Sequence, residues 1–347
     1  MTGHPIVPVA AVHAAPVFLD ARATTDKAVA LIAEAAAHGA RYVVFPESYI
    51  PAFPVWAALW APMHNHDLFR AMAEQSIRVD GEEMRRIAQA ARKHQVYVMM
   101  GFSESSPASA GCLWNAYALF SDDGHLLNHH RKLVPTFFEK LVWAPGDGDG
   151  LRVVSTGIGR LGGLICGENT NPLARFALIA QGEQIHVSSW PPLWPTHAPD
   201  SGSNYDNLNA NRIRAAAHSF EGKLFGIVCA GYMDAAMREF LVARDPSIAD
   251  VLDGSPRAAS MFIDPAGAQI GDVLRDEEGI AYATFDLSAC IEPKQFHDIV
   301  GYYNRFDIFD LKVHRQRTAP VTWTGGAAPA GHADAAAPDC EEARLSE

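Results

Sequence analysis

Short apolar runs bounded by turn residues recur from Ile6 to Leu287, and helical segments are set between them. That alternation points to an α/β chain with a mixed sheet. The expected strands are Ile6–Ala14, Arg41–Pro46, Val96–Phe102, Leu113–Phe120, Leu126–Arg131, Arg152–Ser155, Leu161–Cys166, Gln184–Ser189, Leu224–Ala230, Ala259–Ile263 and Ile280–Leu287. Asp123-Gly124 between the fourth and fifth marks a hairpin. Apolar residues at helical spacing predict helices over Asp26–His38, Glu82–His94, Pro172–Gln181 and Tyr205–Glu221, three of them stopped by Gly39, Gly182 and Gly222. No linker interrupts this pattern, so one domain is expected over 1–317. The stretch 318–347, rich in Ala, Gly, Pro and acids, reads as a disordered tail.

Charge narrows the function classes. Lys and Arg number 28 against 40 Asp and Glu, a net charge of −12 with no basic cluster. A surface that tracks nucleic-acid phosphates is therefore not expected, nor is attraction to anionic membranes. No apolar run reaches the ~18 residues of a membrane span. The start lacks the basic residues and the continuous apolar core of a signal peptide, with Pro5, Pro8 and Pro16 interrupting it. Cys112, Cys166, Cys229, Cys290 and Cys340 are odd in number and widely spaced, which argues for a reducing cytoplasm rather than a disulfide framework.

Several motifs lead nowhere. Gly157-Ile-Gly159-Arg-Leu-Gly162 matches GxGxxG, but an apolar strand follows it. A dinucleotide site needs a helix N-terminus there, so a turn between two strands is the better reading. His64-Asn-His66 and His125-Leu-Leu-Asn-His129 have spacings a metal could use but lack a partner set, and no metal is expected. No GxSxG elbow is present.

The most informative stretch is Leu161–Gln181, LGGLICGENTNPLARFALIAQ. An apolar strand ends at Cys166; a short polar turn leads to Asn171-Pro172, a favoured N-cap and first helical residue. Cys166 is thus placed just ahead of a helix N-terminus, where free N–H groups favour thiolate over thiol. Gly167 lets the chain turn sharply and brings its amide near a bound substrate. Taken singly, Glu47 is an ordinary loop acid and Lys132 an ordinary surface cation. A cysteine nucleophile needs a base and an electrophilic stabiliser beside it.

With YVVFPESYIPAFP around Glu47, NHHRKLVP around Lys132 and ICGEN around Cys166, the chain resembles the nitrilase superfamily and its Glu–Lys–Cys triad. FEKLVWAPGDG (Phe138–Gly148), Val187–Pro192 and GYYNRFDIFDLKV (Gly301–Val313) resemble segments of the true nitrilase branch. Two positions depart from the pattern and bear on substrate preference: Gly167, where many nitrilases carry Trp, and Ala144-Pro145, where many carry Gly. The resemblance implies a four-layer α-β-β-α sandwich of two mixed sheets. It also implies hydrolysis of an organic nitrile to acid and ammonia through thioimidate and thioester intermediates. Glu47 would act as base, Lys132 and the Gly167 amide as oxyanion stabilisers, and Glu139 as a second carboxylate orienting Lys132. No cofactor is needed. Tyr49, Phe53 and Trp190 are candidates for an apolar pocket. A homodimer paired through Pro172–Gln181 and Tyr205–Glu221, building larger homo-oligomers, is implied as well. The competing readings are an amidase or N-carbamoyl hydrolase using the same triad and, remotely, an oxidoreductase on Gly157–Gly162.

Overall fold

The computed structural model describes residues 4–198, 201–202, 204–319, 321 and 324. Most of the tail expected at 318–347, Cys340 included, lies outside these residues. In chain order the elements begin with β1 (Ile6–His13), α1 (Ala21–Ala37), β2 (Tyr42–Val44), α2 (Trp56–Leu59), α3 (His66–Gln75), α4 (Glu82–His94), β3 (Tyr97–Ser105), β4 (Leu113–Phe120) and β5 (Leu126–Arg131). The second half holds β6 (Val154–Thr156), β7 (Gly159–Ile165), α5 (Pro172–Ile179), β8 (Ile185–Trp190), α6 (Asn207–Gly222) and β9 (Phe225–Ala230). It closes with α7 (Ala235–Arg244), α8 (Ala249–Gly254), β10 (Ser260–Ile263), β11 (Gln269–Leu274) and β12 (Gly279–Asp286).

The strands form two six-stranded sheets, ordered β12-β1-β2-β3-β4-β5 and β11-β10-β9-β8-β7-β6. Each is mixed. Three neighbouring strands run parallel, β1 to β3 in one and β7 to β9 in the other. The remaining strands flank them antiparallel. Helical crossovers join the parallel strands, as parallel pairing requires.

Alternation along each strand sorts side chains into layers. Val9 and Ala11 of β1, Val44 of β2 and Met99 of β3 face inward onto Leu161, Ile165, Val187 and Ile227 of the second sheet. Their neighbours Ala10, Val12, Val43 and Val98 face outward onto Ile32 and Ala35 of α1 and Ile87 and Ala91 of α4. On the far side Leu164 of β7 packs with Ala174 and Leu178 of α5. The result is the α-β-β-α sandwich. A fourth apolar cluster, including Phe53, Trp56, Phe138, Trp143 and Trp194, gathers segments that follow β2, β5 and β8.

Some expectations shift. Helix α1 starts at Ala21, not Asp26, because the Asp20 carboxylate accepts the Ala23 N–H at 2.9 Å and caps the chain earlier. Strand β11 has no counterpart among the expected strands: it is an edge strand whose residues are mostly exposed, so it carries no apolar period. Gly157 and Ile158 form the tight connection between β6 and β7, and Gly162 lies inside β7. The oxidoreductase reading fails on that point, since no helix opens at the last glycine. No described helix is long and apolar enough to cross a membrane.

Candidate active site

Three side chains converge just beyond strand ends. Glu47 follows β2, whose pairing continues through the Phe45 N–H onto the Met99 carbonyl at 2.8 Å. Lys132 follows β5; its N–H donates to Asn115 of β4, and its carbonyl accepts from Gly146, each at 2.8 Å. Cys166 follows β7 on the other sheet. Clefts outside the carboxyl ends of parallel strands are the usual ligand sites of such sheets. The approach is close: a Cβ on Gly101 of β3 would stand 2.1 Å from the Pro46 carbonyl oxygen, so only glycine lets the Glu47 segment lie over β3.

The Lys132 ammonium is fully buried and donates to Glu47 Oε1 at 2.8 Å and to Glu139 Oε2 at 2.6 Å. Asn115 Nδ2 donates to the same Glu47 oxygen at 2.7 Å. Glu47 Oε2 and Glu139 Oε1 are buried without a hydrogen-bond partner. One carboxylate oxygen from each glutamate and the Cys166 sulfur lie within 4.8 Å of one another. A metal could use those three ligands only by displacing the ammonium already among them. The site therefore offers two open carboxylate oxygens beside a thiol and a fixed cation, an arrangement suited to proton transfer and nucleophilic attack.

Charge states follow from burial. Desolvation works against the Lys132 charge, but the groups around it, Cys166 when ionised, Glu139 and Glu47, outweigh it and hold the ammonium well above its usual range. Burial pushes Glu139 up to about 7, against the pull of Lys132 and with the push of Glu47.

The Cys166 thiol corrects the sequence-based expectation. Burial first, then the Glu47 charge, drive it well above the usual thiol range, and Lys132 and the Gly167 N–H only partly offset them. The resting group is a neutral thiol. The helix terminus does not ionise it because Cys166 opens a separate 3-10 turn, Cys166–Thr170. The first free amides of α5, those of Leu173 and Ala174, are taken by the Asn171 side chain. Cys166 also sits at φ +51°, a left-handed conformation that costs a non-glycine residue about 1–3 kcal/mol.

Buried polar groups behind the turn hold that conformation. Asn169 Nδ2 donates to the carbonyls of Cys166 at 3.0 Å and Leu164 at 3.1 Å. Its Oδ1 accepts from His186 Nε2 at 2.8 Å. His186 Nδ1 lies 2.8 Å from one Glu183 oxygen, and the other accepts from His218 Nε2 at 2.7 Å. Burial alone would raise Glu183, but the two imidazoles bring it down to about 2; burial lowers His218 to about 4. Glu183, His186 and His218 are near enough to share a cation, yet here each carboxylate oxygen is engaged by an imidazole.

The other candidates divide. Tyr49 and Phe53 line a narrow cavity of about 10 Å³ beside Glu47, space for about one water. Trp190 ends β8, the strand next to that of Cys166, and shares the face of Ser188 rather than that of Val187: its indole N–H donates to Ser188 Oγ at 3.1 Å, and the Arg214 guanidinium of α6 lies 5.4 Å from its ring. Gly167 borders a wider groove of about 270 Å³ with Leu133, Pro135, Thr136 and Phe137. A Cβ at 167 would meet Thr136 Oγ1 at 2.6 Å, so a larger residue there requires Thr136 to move. His64 and His66 are exposed, His125 pairs with Asp123, and His129 bonds Glu104 at 2.9 Å. Asn115, Glu168 and Asn169 escaped the sequence reading. Only Asn115 left a signal there, as a lone amide inside the apolar run LWNAYALF.

Comparison with known proteins identifies the family. The carbon-nitrogen hydrolase family model matches residues 8–295. A nitrilase of Penicillium rubens is 34% identical over 91% of this chain and 95% of its own. A nitrilase of Pseudomonas syringae pv. syringae is 37% identical over 90% and 91%. Among solved structures, a carbon-nitrogen hydrolase from Helicobacter pylori superposes with a TM-score of 0.69 at 19% identity, covering 88% of this chain and 97% of that one.

Proposed function

The chain belongs to the carbon-nitrogen hydrolase family, and from that premise we propose that it is a nitrilase working through Cys166, Glu47 and Lys132. The observation that carries the assignment of residues is the convergence of all three, with Glu139, in one buried site.

The open Oε2 of Glu47 takes the thiol proton as the Cys166 sulfur attacks the nitrile carbon. The nitrogen receives that proton, giving a thioimidate. Water then adds to the carbon, and Glu47 carries its proton to the nitrogen, which takes one more from the new hydroxyl as it leaves. The tetrahedral species is stabilised by Lys132 and the Gly167 N–H; preorganised donors of this kind are worth about 10²–10³ in rate each. Collapse expels ammonia and leaves a thioester, which a second water hydrolyses to the carboxylic acid and free thiol. Expulsion of the sulfur instead of nitrogen would release the amide. A neutral resting thiol suits this sequence, because proton transfer and attack occur together and no thiolate has to be held in the dry pocket beforehand. Glu139 accepts from the ammonium opposite Glu47 and so fixes where its remaining proton points.

The rival is an amidase or N-carbamoyl hydrolase with the same residues. Ammonia release from a panel of nitriles and their matching amides separates the two. The nitrile is expected to react faster than its amide, and the reverse order would make the protein an amidase.

Assembly follows a similar argument. Leu173 on α5 and Ile213 and Phe220 on α6 are large apolar side chains more than half exposed in the single chain. Burying them against a second copy accounts for that. Light scattering is expected to return a dimer or larger species, and a monomer at micromolar concentration would count against the pairing. The described cysteines are all free thiols, in keeping with a cytoplasmic location that cell fractionation would check.

A further inference from the structure

Cys166 and Lys132 come from different sheets, and no backbone ladder joins the two sheets. Their spacing decides whether the ammonium meets the tetrahedral intermediate, so something else must set it. Glu168 makes that connection. Its Oε1 accepts the N–H of Leu133, the residue after Lys132, at 2.5 Å. Its Oε2 accepts the N–H of Ile165, the residue before Cys166, at 2.8 Å. His130 Nε2 lies 3.2 and 3.0 Å from the same two oxygens.

We propose that Glu168 is a positioning residue: a single buried carboxylate that ties the backbone beside the nucleophile to the backbone beside the lysine. The inference rests on the roles given above to Cys166 and Lys132. Glu168 and His130 are both buried, and His130 has no other partner, its Nδ1 being unbonded. Burial disfavours the Glu168 charge, but His130 and the two amides overcome it and lower the carboxyl's pKa. Only an ionised carboxylate supplies acceptors on both sides at once. A glutamine presents one oxygen and one NH2 group, and the NH2 must face an amide N–H on one side, so one of the two segments is released.

The test is Glu168→Gln, read as kcat per titratable Cys166 thiol together with the rate of thiol alkylation by iodoacetamide. Misplacement on the order of 1 Å costs about 10²-fold in catalysis. The expected result is a kcat loss of that order, with KM and the alkylation rate held within about threefold, because release of either segment moves the thiol and Lys132 apart without removing either. A residue serving stability alone would lower the folded fraction and leave kcat per thiol unchanged; that outcome overturns the proposal. If Glu168→Gln does not fold, His130→Leu decides. It removes the imidazole that holds the carboxylate in place and is expected to lower kcat about tenfold by the same reasoning; wild-type kcat there also overturns the proposal. Failure of the Cys166 assignment itself would show separately, as turnover without that thiol.

Discussion

Cys166→Ala is expected to lower ammonia release from a nitrile by about 10⁴-fold or more, the scale seen when a covalent nucleophile is removed. The fold should survive. The substitution deletes one sulfur at the edge of the core between the sheets, a loss of about 1 kcal/mol on the scale of small core truncations. Alanine meets the same left-handed backbone strain that cysteine does, and the backbone carbonyl keeps its bond from Asn169. The measurement is an ammonia assay beside thermal unfolding of the same preparation. Turnover near wild type would refute the nucleophile. A collapse of the fold would instead show that the sulfur serves packing.

Much of this arrangement is legible in the sequence because strand ends are. Glu47 and Cys166 stand where apolar runs stop, whereas Lys132 follows the polar Asn-His-His-Arg end of β5 and is marked by the likeness of NHHRKLVP to the nitrilase superfamily; the sandwich brings all three to one place. The charge state of the thiol is not legible. It depends on burial by the opposite sheet and on a carboxylate distant in sequence, against which a nearby helix terminus counts for little. Asn115 and Glu168 escape for a related reason. Each acts across 35 residues or more, on Glu47 and on Leu133, and local periodicity carries no information over that span. Strand β11 and helix α8 were unreadable because exposed edges and short helices lack a sustained apolar period.

Lys132→Met should cost both chemistry and stability. Methionine matches lysine closely in volume, so packing is little disturbed and the change isolates the charge. Glu47 and Glu139 then face each other in a buried site with no cation between them. Breaking a buried ion pair by deleting one partner costs about 3–5 kcal/mol. The loss should depend on pH, with a definite sign. Glu139 is already raised by burial to about 7 from an ordinary 4.5, and removal of the ammonium pushes it higher. A carboxyl raised in the folded state binds its proton more tightly there than in the unfolded chain, so stability is greatest at acid pH and declines as the folded group ionises. Urea unfolding at pH 5 and pH 8 is therefore expected to show the smaller deficit relative to wild type at pH 5. An equal deficit at both would mean that the two carboxylates do not share the cation. The same variant should lose about 10²–10³ in kcat through the missing oxyanion donor, and acid pH should not restore it, because protonating Glu139 relieves repulsion without supplying a cation at the intermediate.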